Sequence, residues 1–510
     1  MYEYIVEMKN ITKRFPGIVA NDDITIQIKK GEIYAILGEN GAGKSTLMSI
    51  LFGMYEPDEG EIWIRGEKVR IQSPNHAAKL NIGMVHQHFK LVHNYTVTEN
   101  IILGIEPIKK LGGLIPYVDI KGANKNIAEL SKRYGLQVDP SQKIEDMNVS
   151  LQQRVEILKM LYREAEILIF DEPTALLTPQ EIDYLLNIIE ELRKGGKTII
   201  LITHKLEEIK RVADRCTILR KGKLIDVLDV KDTSTKTMAN LMVGREVSLE
   251  IEKKPPKFGD VVLEVNNLTV KNQDNFEVVK DVSFKIHSGE IFAIAGVAGN
   301  GQVEIADAIA GLTEIASGCV KLNGVDISNF SIRERTIEGI SYIPEDRQAY
   351  GLILDFSLAE NLALKDYYKE PFCHKGFLNK DVIHEYGDKL IEKYDIRSSL
   401  GTKTQVRQMS GGNQQKAIVA REIELDSPLM IFVQPTRGLD IGAIENIQKM
   451  MVEERDKGKA ILLVSLELDE IMNIADTIGI IYNGEIQKIA PAERLTTKEV
   501  GEYMMGVVTA

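Results

Sequence analysis

The sequence predicts an α/β protein built from two tandem domains of the same fold. Its 510 residues exceed the size at which a single core stops growing, about 250 residues. In both halves, short apolar runs alternate with longer segments of helical periodicity. In addition, the stretch KKGEIYAILGENGAGKST (residues 29–46) recurs as HSGEIFAIAGVAGNGQVE (residues 287–304). Each half is therefore expected to form a parallel sheet that helices cover on both faces.

A second repeat sets the domain boundaries. ILIFDEPTALLT, which contains Asp171, recurs as LMIFVQPTRGLD, and the order and spacing relative to the first repeat agree in both halves. We therefore expect one domain over residues 1–249 and another over residues 261–510. Residues 250–260 carry charges and two adjacent prolines, which is the composition of an exposed linker.

Several elements can be assigned from local pattern. IYAIL, ILIF and TIILIT are too short for buried helices and rich in isoleucine and leucine, so they predict strands of a sheet buried on both faces. PQEIDYLLNIIEELRKGG repeats apolar residues at helical spacing and ends in lysine and glycine, which predicts a helix and its C-terminus.

Composition and charge exclude several classes of protein. The net charge of −12 argues against nucleic acid as a partner, because nucleic acid selects basic surfaces. The sequence has no run of about 18 apolar residues and does not start with a signal peptide. Any association with a membrane is therefore expected to be peripheral.

Cysteine and histidine give little support for a disulfide framework or a metal site of their own. The thiols are widely spaced, which favours a reducing cytosol. The histidines near residue 90 cross a predicted strand end and a loop, so their side chains need not converge, and a loop that faces a partner is favoured over a metal site. These residues are Cys216, Cys319, Cys373, His86, His88 and His93.

The stretch GENGAGKST follows a strand-like run and precedes a helix-like run, which is the context of a phosphate-binding loop rather than of an ordinary glycine-rich turn. Its glycines let backbone N–H groups surround phosphate oxygens, and the following helix N-terminus favours an anion. Lys44 would neutralise the β- and γ-phosphates of ATP, and Ser45 would ligate Mg²⁺. The predicted nucleotide-binding residues of this loop are Gly38, Glu39, Asn40, Gly41, Ala42, Gly43, Lys44, Ser45 and Thr46.

Two carboxylates follow the apolar strand ILIF. Ionised side chains at the end of a buried strand are costly unless a metal, water or substrate engages them. Asp171 fits a partner of Mg²⁺, and Glu172 fits a base that polarises the attacking water. The pair alone is a weak signal, and the phosphate loop upstream makes it a strong one.

With these motifs, both halves resemble ABC-type ATPase domains over nearly the whole chain. The resemblance implies that each half has a RecA-like core, an antiparallel β subdomain and a helical subdomain. It also implies that Phe15 stacks on adenine, that Gln87 senses Mg²⁺ and contacts a membrane partner, and that His204 touches the γ-phosphate. Taken singly, Phe15 could instead pack in a surface loop, and Gln87 and His204 could be polar strand ends.

The resemblance further implies head-to-tail pairing, in which each ATP site combines the phosphate loop of one domain with the signature segment of the other. In the second half the signature is MSGGNQQK, whose Ser410, Gly411 and Gly412 would approach the γ-phosphate. In the first half the matching stretch MNVSLQQR has Asn148 in place of the serine and Ser150 in place of a glycine. A side chain at that glycine position would crowd the backbone's approach to phosphate.

Sorted by site, the motifs define one complete and one degraded ATP site within an intramolecular pseudo-dimer. The complete site would combine Lys44, Ser45, Gln87, Asp171, Glu172 and His204 with Ser410 and with Asp440, which matches the D-loop aspartate of the family. The degraded site would combine Gln302, Val303, Val433, Gln434 and Leu466 with the Asn148 segment. Thr178 stands at the D-loop position of the first half, where the change falls on the degraded site. We therefore expect ATP hydrolysis at the first loop, with ATP and Mg²⁺ as cofactors.

PEDR (residues 344–347), SGGNQQK and QPTRGLD resemble the ATPase subunit of bacterial uptake systems for simple sugars and nucleosides. HQHFKLV (residues 86–92) is more similar to the nucleoside branch. The resemblance implies two integral-membrane permease subunits docked near Gln87 and Glu345, and an external solute-binding lipoprotein or binding protein. It places the chain on the cytoplasmic face of the membrane. A solvated charged turn is the alternative interpretation of PEDR.

Other classes are less consistent with the sequence. A duplicated ABC protein that acts on ribosomes generally keeps two competent sites and a long charged linker, and a DNA-repair relative carries zinc cysteines. A scaffold without catalysis would not need the complete set of residues around Lys44.

Overall fold

The chain forms two compact units, residues 1–247 and 248–510. The computed structural model describes residues 3–86, 89–111, 114–174, 177, 179–247, 251–272 and 274–507. Each unit is described by itself below.

The first unit alternates strands and helices, as the sequence predicts. Its strands are β1 (Tyr4–Phe15), β2 (Ile18–Lys29), β3 (Ile33–Gly38), β4 (Glu59–Ile64), β5 (Glu67–Val69), β6 (Ile82–Val85), β7 (Ile108–Leu111), β8 (Ile115–Val118), β9 (Ile167–Asp171), β10 (Thr198–Ile202), β11 (Arg215–Arg220) and β12 (Lys223–Asp229). Its helices are α1 (Lys44–Leu51), α2 (Pro74–Lys79), α3 (Val97–Ile102), α4 (Ile120–Arg133), α5 (Val149–Tyr162), α6 (Pro179–Lys194), α7 (Leu206–Val212) and α8 (Thr235–Val243).

Two sheets and a helical region make up this unit. The central six-stranded sheet has the order β12-β11-β3-β10-β9-β6, in which every pair but β11–β12 is parallel. A four-stranded sheet of order β2-β1-β4-β5 is antiparallel. Helices α3, α4 and α5 pack against one another, with the hairpin β7–β8 between α3 and α4 in sequence. The predicted core with an antiparallel and a helical subdomain is confirmed.

Alternation along the central strands divides the core of the first unit into two layers. Ile199 and Leu201 join helices α4, α5 and α6 on one face. Ile200 and Ile202 join α1 and the antiparallel sheet on the other face. Because both faces are buried, the strand is apolar at successive positions, and full burial of one such side chain contributes about 1.5–3 kcal/mol.

This topology gathers the ends of the central strands. Asp171, the last residue of β9, pairs with Ile202, the last residue of β10, and β10 also pairs with β3, which leads into the phosphate loop. Ligands of open α/β sheets bind at this carboxyl edge, where the loops that follow the strands meet.

The second unit repeats the first. Its strands are β13 (Val261–Lys271), β14 (Glu277–His287), β15 (Ile291–Ala295), β16 (Ile315–Leu322), β17 (Val325–Asp326), β18 (Ile340–Ile343), β19 (Cys373–His374), β20 (Phe377–Leu378), β21 (Leu429–Val433), β22 (Ala460–Ser465), β23 (Thr477–Tyr482) and β24 (Glu485–Pro491). Its helices are α9 (Gln302–Ala310), α10 (Ile332–Glu338), α11 (Leu358–Leu362), α12 (Lys380–Lys393), α13 (Gly411–Glu424), α14 (Ile441–Asp456), α15 (Leu468–Ile474) and α16 (Thr497–Met504). The two larger sheets have the orders β18-β21-β22-β15-β23-β24 and β14-β13-β16-β17, and β19 pairs with β20 in a two-stranded sheet.

The predicted linker is partly anchored on the second unit. Pro255 and Pro256 are exposed. Ile251, by contrast, is buried in the core of the second unit, and its N–H donates to Asn473 Oδ1 at 3.0 Å. Lys253 Nζ donates to a backbone carbonyl of the same unit. Composition alone does not predict this anchoring, because it depends on a single apolar residue, Ile251, near the start of the stretch.

Candidate functional site

The first phosphate loop connects β3 to α1, as predicted. Gly41 has φ 82° and Gly43 has φ 97°, the left-handed region that glycine adopts at little cost. A Cβ at Gly43 would lie 2.2 Å from the carbonyl oxygen of Ala20, so a side chain cannot be accommodated there. Gly43 immediately precedes α1, and no side chain caps the helix. A bound anion can therefore accept hydrogen bonds from the N–H groups of the first turn.

Lys44 is buried at the centre of this loop. Its Nζ donates to the carbonyl oxygens of Gly38, at 2.8 Å, and of Glu39, at 3.0 Å. The ammonium group is thus held inside the loop that would surround phosphate. Asn21, which the sequence analysis missed, is fully buried and donates from Nδ2 to the carbonyl oxygen of Gly43 at 3.0 Å. Asn21 lies in the antiparallel sheet, far from any motif in sequence, so pattern alone could not identify it.

Ser45 and Asp171 meet directly: Ser45 Oγ donates to Asp171 Oδ1 at 3.2 Å. Burial, with a smaller contribution from the charge of Glu172, raises the pKa of Asp171 to about 6, against the opposing effects of Ser45 and Lys44. A hydroxyl and a carboxylate are hard oxygen ligands of the kind that Mg²⁺ prefers, so the residues fit this ion. Among the described residues, no group of three or more histidine, cysteine or acidic side chains could hold a metal.

Glu172 lies one residue beyond β9, in a left-handed turn of φ 45°. Its N–H donates to the carbonyl oxygen of Ile202 at 2.9 Å, and its Oε1 lies 3.4 Å from His204 Nδ1. Burial would raise the pKa of Glu172, but the hydrogen bond and charge of His204, together with Lys44, hold it below its usual value. The adjacent carboxylates Asp171 and Glu172 are therefore driven in opposite directions, as in sites that assign different proton states to neighbouring acids.

Phe15, at the end of β1, is half-buried and stands edge-on to Tyr55, with ring centroids 5.3 Å apart. Lys13 Nζ lies 5.7 Å from the centroid of the Phe15 ring. Asp58 fixes this strand end, since it accepts from Lys13 Nζ at 2.9 Å and from the N–H of Arg14 at 2.6 Å. Phe15 could be identified from the sequence, whereas Tyr55 and Asp58 could not, because the loop after α1 shows no motif.

The second phosphate loop keeps the backbone and loses the charge. Gly299 and Gly301 have φ 87° and 100°, close to the values of the first loop. Gln302 is almost fully buried, and its Nε2 donates to the carbonyl oxygen of Val297 at 3.0 Å, as Lys44 donates in the first loop. Val303 packs against the hydrophobic core of the second unit.

The strand ends of the second unit carry no ionisable group at the matching positions. Val433 is fully buried. Gln434 keeps the left-handed turn, with φ 47°, and its N–H donates to the carbonyl oxygen of Val464 at 2.7 Å. Leu466 stands where the first unit has His204. The substitutions preserve the turn and remove its acid–base chemistry.

The two signature segments begin their helices differently. Asn148 Oδ1 accepts from the N–H of Leu151 at 2.9 Å and so caps α5. Ser410 precedes α13 without capping it through its side chain, and its Oγ accepts instead from Asn413 Nδ2 at 2.9 Å. A ligand can therefore approach the first turn of α13 without displacing a capping side chain, whereas α5 already has a cap.

The two signature glycines lie at the start of α13, and Asp440 lies at the start of α14. At Gly411, a Cβ would lie 2.7 Å from Arg347 Nη2, so a larger residue there would have to displace the end of the Arg347 side chain. Gly412 is buried in the first turn of α13. Asp440 caps α14 by accepting from the N–H of Ala443 at 2.9 Å.

Arg437 connects PEDR with TRGLD. Its guanidinium pairs with Glu345, and its carbonyl oxygen accepts from Arg347 Nη1 at 3.2 Å. The side chains of Glu345 and Arg347 are thus both bonded to Arg437 of the second unit, which a solvated charged turn would not require.

The structure therefore brings Lys44, Ser45, Asp171, Glu172 and His204 together at one sheet edge. Gln87, His88 and Thr178 lie outside the described residues.

None of the helices in the described ranges has the length and apolarity needed to cross a membrane.

Comparison with known proteins agrees with this architecture. The family model described as "ABC transporter" matches residues 21–175 and again residues 279–437. The chain belongs to this family, as a tandem ATP-binding subunit whose ATPase activity is coupled to transport.

The relatives that span almost the whole chain include three importer proteins. The Guanosine import ATP-binding protein NupO of Bacillus subtilis is 53% identical over 99% of this chain and 98% of its own length. The Nucleoside import ATP-binding protein NupA of Lactococcus lactis is 51% identical over the same shares. The Glucose import ATP-binding protein TsgD13 of Haloferax volcanii is 40% identical over 99% of this chain and 96% of its own length.

Proposed function

We propose that the chain hydrolyses ATP at its first phosphate loop and thereby drives the import of nucleosides through a membrane permease. The observation that carries this proposal is the cluster of Lys44, Ser45, Asp171, Glu172 and His204 at one sheet edge. The second unit has the same backbone there with a different set of side chains.

The solute class rests on relatives and on one loop. Two relatives that are more than half identical are named for guanosine and nucleoside import, while the glucose relative is 40% identical. The stretch at residues 86–92 also favours the nucleoside branch.

The first unit has the groups that cleavage of a phosphoanhydride bond needs. Lys44, held inside the loop, would face the β- and γ-phosphates. Glu172, whose pKa lies below its usual value, is ionised at neutral pH and would accept a hydrogen bond from the attacking water. His204 would hold this carboxylate through Nδ1 and offer its other ring nitrogen to a phosphate oxygen.

Ser45 and Asp171 would hold Mg²⁺, together with the phosphates of the nucleotide. The ion would supply neutralisation of phosphate charge. Gln87 is the third residue that we assign to it, from the family motif.

The asymmetry between the copies supports a single hydrolytic site. In the proposed pseudo-dimer, Ser410 and the glycines after it would complete the first site, and Asp440 would border it. The cap at Asn148 and the loss of charge at Gln302 would leave the second site able to bind nucleotide at most.

Transport requires partners that this chain does not supply. We assign to it two integral-membrane permease subunits and an external solute-binding protein, because the relatives are named as the ATP-binding proteins of importers. The working position would be the cytoplasmic face of the membrane.

The test is uptake in cells that lack the chain. Radiolabelled guanosine and radiolabelled glucose are supplied in parallel, and the wild-type chain or Glu172→Gln is returned on a plasmid. We expect guanosine uptake to return with the wild-type chain and to stay absent with Glu172→Gln.

Two results would contradict the proposal. Restoration of glucose but not guanosine uptake would move the chain to the sugar branch. Full uptake with Glu172→Gln would show that hydrolysis does not occur at the first loop. Gln434→Glu, the matched change in the second copy, should support uptake like the wild-type chain.

A further inference from the structure

A third acidic residue, in addition to Asp171 and Glu172, lies near the strand ends of the first unit. Glu208, in helix α7, is buried, with about 4% of its surface exposed. Its Oε2 accepts from the hydroxyl of Thr203 at 3.1 Å, and that hydroxyl in turn accepts from the N–H of Lys205 at 3.0 Å. The side chain of Thr174 lies against the same carboxyl. Glu208 thus forms a bridge, by one hydrogen bond and one side-chain contact, between two buried threonines that belong to different segments of the chain.

The two threonines flank the two groups that would act on water and phosphate. Thr203 immediately precedes His204, and Thr174 lies two residues beyond Glu172. Strands β9 and β10 run side by side up to these segments, and the Glu172 N–H closes the turn onto the end of β10. Beyond that point the sheet no longer fixes the distance between the two segments. Glu208 connects the two segments beyond the point where β9 and β10 pair.

The second unit contains the same bridge without the reactive groups. Glu470 is equally buried, and Ser465 Oγ donates to its Oε2 at 2.6 Å. The N–H of Glu467 donates to Ser465 Oγ at 3.1 Å, and the side chain of Thr436 lies against the Glu470 carboxyl. The bridge is therefore part of the way both copies hold their strand ends. In the first copy alone, the strand ends carry a carboxylate and an imidazole.

We propose that Glu208 is a positioning residue for ATP hydrolysis, which fixes the separation of Glu172 and His204 through Thr174 and Thr203. The inference rests on the proposed function, because it takes Glu172 as the group that engages water. A purely structural carboxyl would affect stability in both copies alike. A positioning carboxyl affects turnover in the first copy only, since a misplacement of about 1 Å near reacting atoms can cost on the order of a hundredfold in rate.

The experiment uses the purified full chain and compares Glu208→Ala and Glu208→Gln with the matched pair Glu470→Ala and Glu470→Gln. ATP turnover is measured as kcat and KM, with thermal unfolding of each variant recorded alongside. We expect Glu208→Ala to lower kcat by about tenfold or more with KM changed by less than about threefold, because ground-state binding is untouched. Glu208→Gln keeps an acceptor for the threonines and should retain kcat within about threefold. Glu470→Ala and Glu470→Gln should likewise retain kcat within about threefold.

A second pair of variants covers the case in which Glu208→Ala does not fold. Thr203→Val removes the bridging hydroxyl and keeps the shape, so it should lower kcat like the alanine variant. Thr203→Ser keeps the hydroxyl and reproduces the residue that the second copy has at this position, so it should retain kcat.

Four results would overturn the inference: unchanged kcat in Glu208→Ala, a rise in KM in place of the fall in kcat, an equal loss in Glu470→Ala, or failure of Glu208→Gln to retain activity. Glu172→Gln separates this inference from the proposed function. If that variant is inactive while Glu208→Ala is fully active, only the positioning role fails. If Glu172→Gln keeps its turnover, the proposed site itself fails.

Discussion

Replacing Glu172 by glutamine tests the assignment of the hydrolytic site most directly. The change removes the negative charge and keeps the size of the side chain. Because the turn at Glu172 is held by its backbone N–H on the carbonyl oxygen of Ile202, the fold around it should persist. The amide can still meet His204 Nδ1, which lies 3.4 Å from the carboxylate oxygen. The expected loss is therefore chemical rather than structural.

The size of this loss follows from the role of a general base. A positioned base contributes about 10²–10⁴-fold to rate. At 1.36 kcal/mol for each tenfold change, this corresponds to about 2.7–5.4 kcal/mol of activation free energy. Glu172 is the group whose pKa is held low by His204 and Lys44, so it is ionised at neutral pH and can accept a hydrogen bond from the attacking water. We expect kcat to fall by at least about a hundredfold and the KM for ATP to change little.

The assay is steady-state release of phosphate by the full chain, with binding of a labelled ATP analogue measured separately. Gln434→Glu is the matched control, since Gln434 occupies the same left-handed turn in the second unit and closes it with the same backbone hydrogen bond. This control should leave kcat within about threefold, because Val433 and Gln302 leave that site without its other charges.

Two outcomes would refute this reasoning. If Glu172→Gln retains a tenth or more of the wild-type kcat, the water is activated elsewhere. If Glu172→Gln and Gln434→Glu alter turnover to the same extent, the division into one competent and one degraded copy is wrong.

Three further predictions follow from the contrast between the copies. Lys44→Met removes a charge worth on the order of 4 kcal/mol near phosphate at an effective dielectric of 20, so phosphate release should cease, while Gln302→Lys should leave it unchanged; activity in the first variant would contradict the role of the loop. Ser410→Arg should stop turnover of the assembled transporter and Asn148→Arg should reduce it less, and equal effects would exclude the proposed head-to-tail pairing. Burial raises the pKa of Glu470 to about 7 from an ordinary 4.5, so the folded state is destabilised by its ionisation as pH rises through this interval. Glu470→Gln should accordingly stabilise the chain by on the order of 3 kcal/mol above pH 7 and by nothing below about pH 4.5; a difference independent of pH, measured by denaturant unfolding, would contradict this origin.

The fold could be predicted from sequence because its signals are local and duplicated. The run TIILIT forms β10, and PQEIDYLLNIIEELRKGG forms α6, which ends at Lys194 before two glycines. The phosphate loop is equally local: a short stretch of chain supplies both the glycine backbone and Lys44. Residues that are close in sequence are therefore also close to one another in the site.

Supporting residues could not be predicted, because they reach the site from distant parts of the chain. Asn21 bonds to the loop from β2, and Tyr55 and Asp58 hold the end of β1 from the loop after α1. None of these residues belongs to a motif, and asparagine and aspartate are ordinary residues of turns. Only the packing of one sheet on the other distinguishes them. The anchoring of Ile251 on the second unit has the same origin.

The second copy shows that chemistry and fold are separable at this sheet edge. Gln302 takes the place of a lysine and still bonds to a loop carbonyl, and Gln434 keeps a left-handed turn that costs a non-glycine residue about 1 kcal/mol or more. A loop released from all function would have no reason to retain this unfavourable turn. Its retention indicates that the backbone of the second copy must still present a defined shape. A partner surface for the first copy requires such a shape without requiring a base, a lysine or a metal ligand, and this is the role that the proposed pairing gives it.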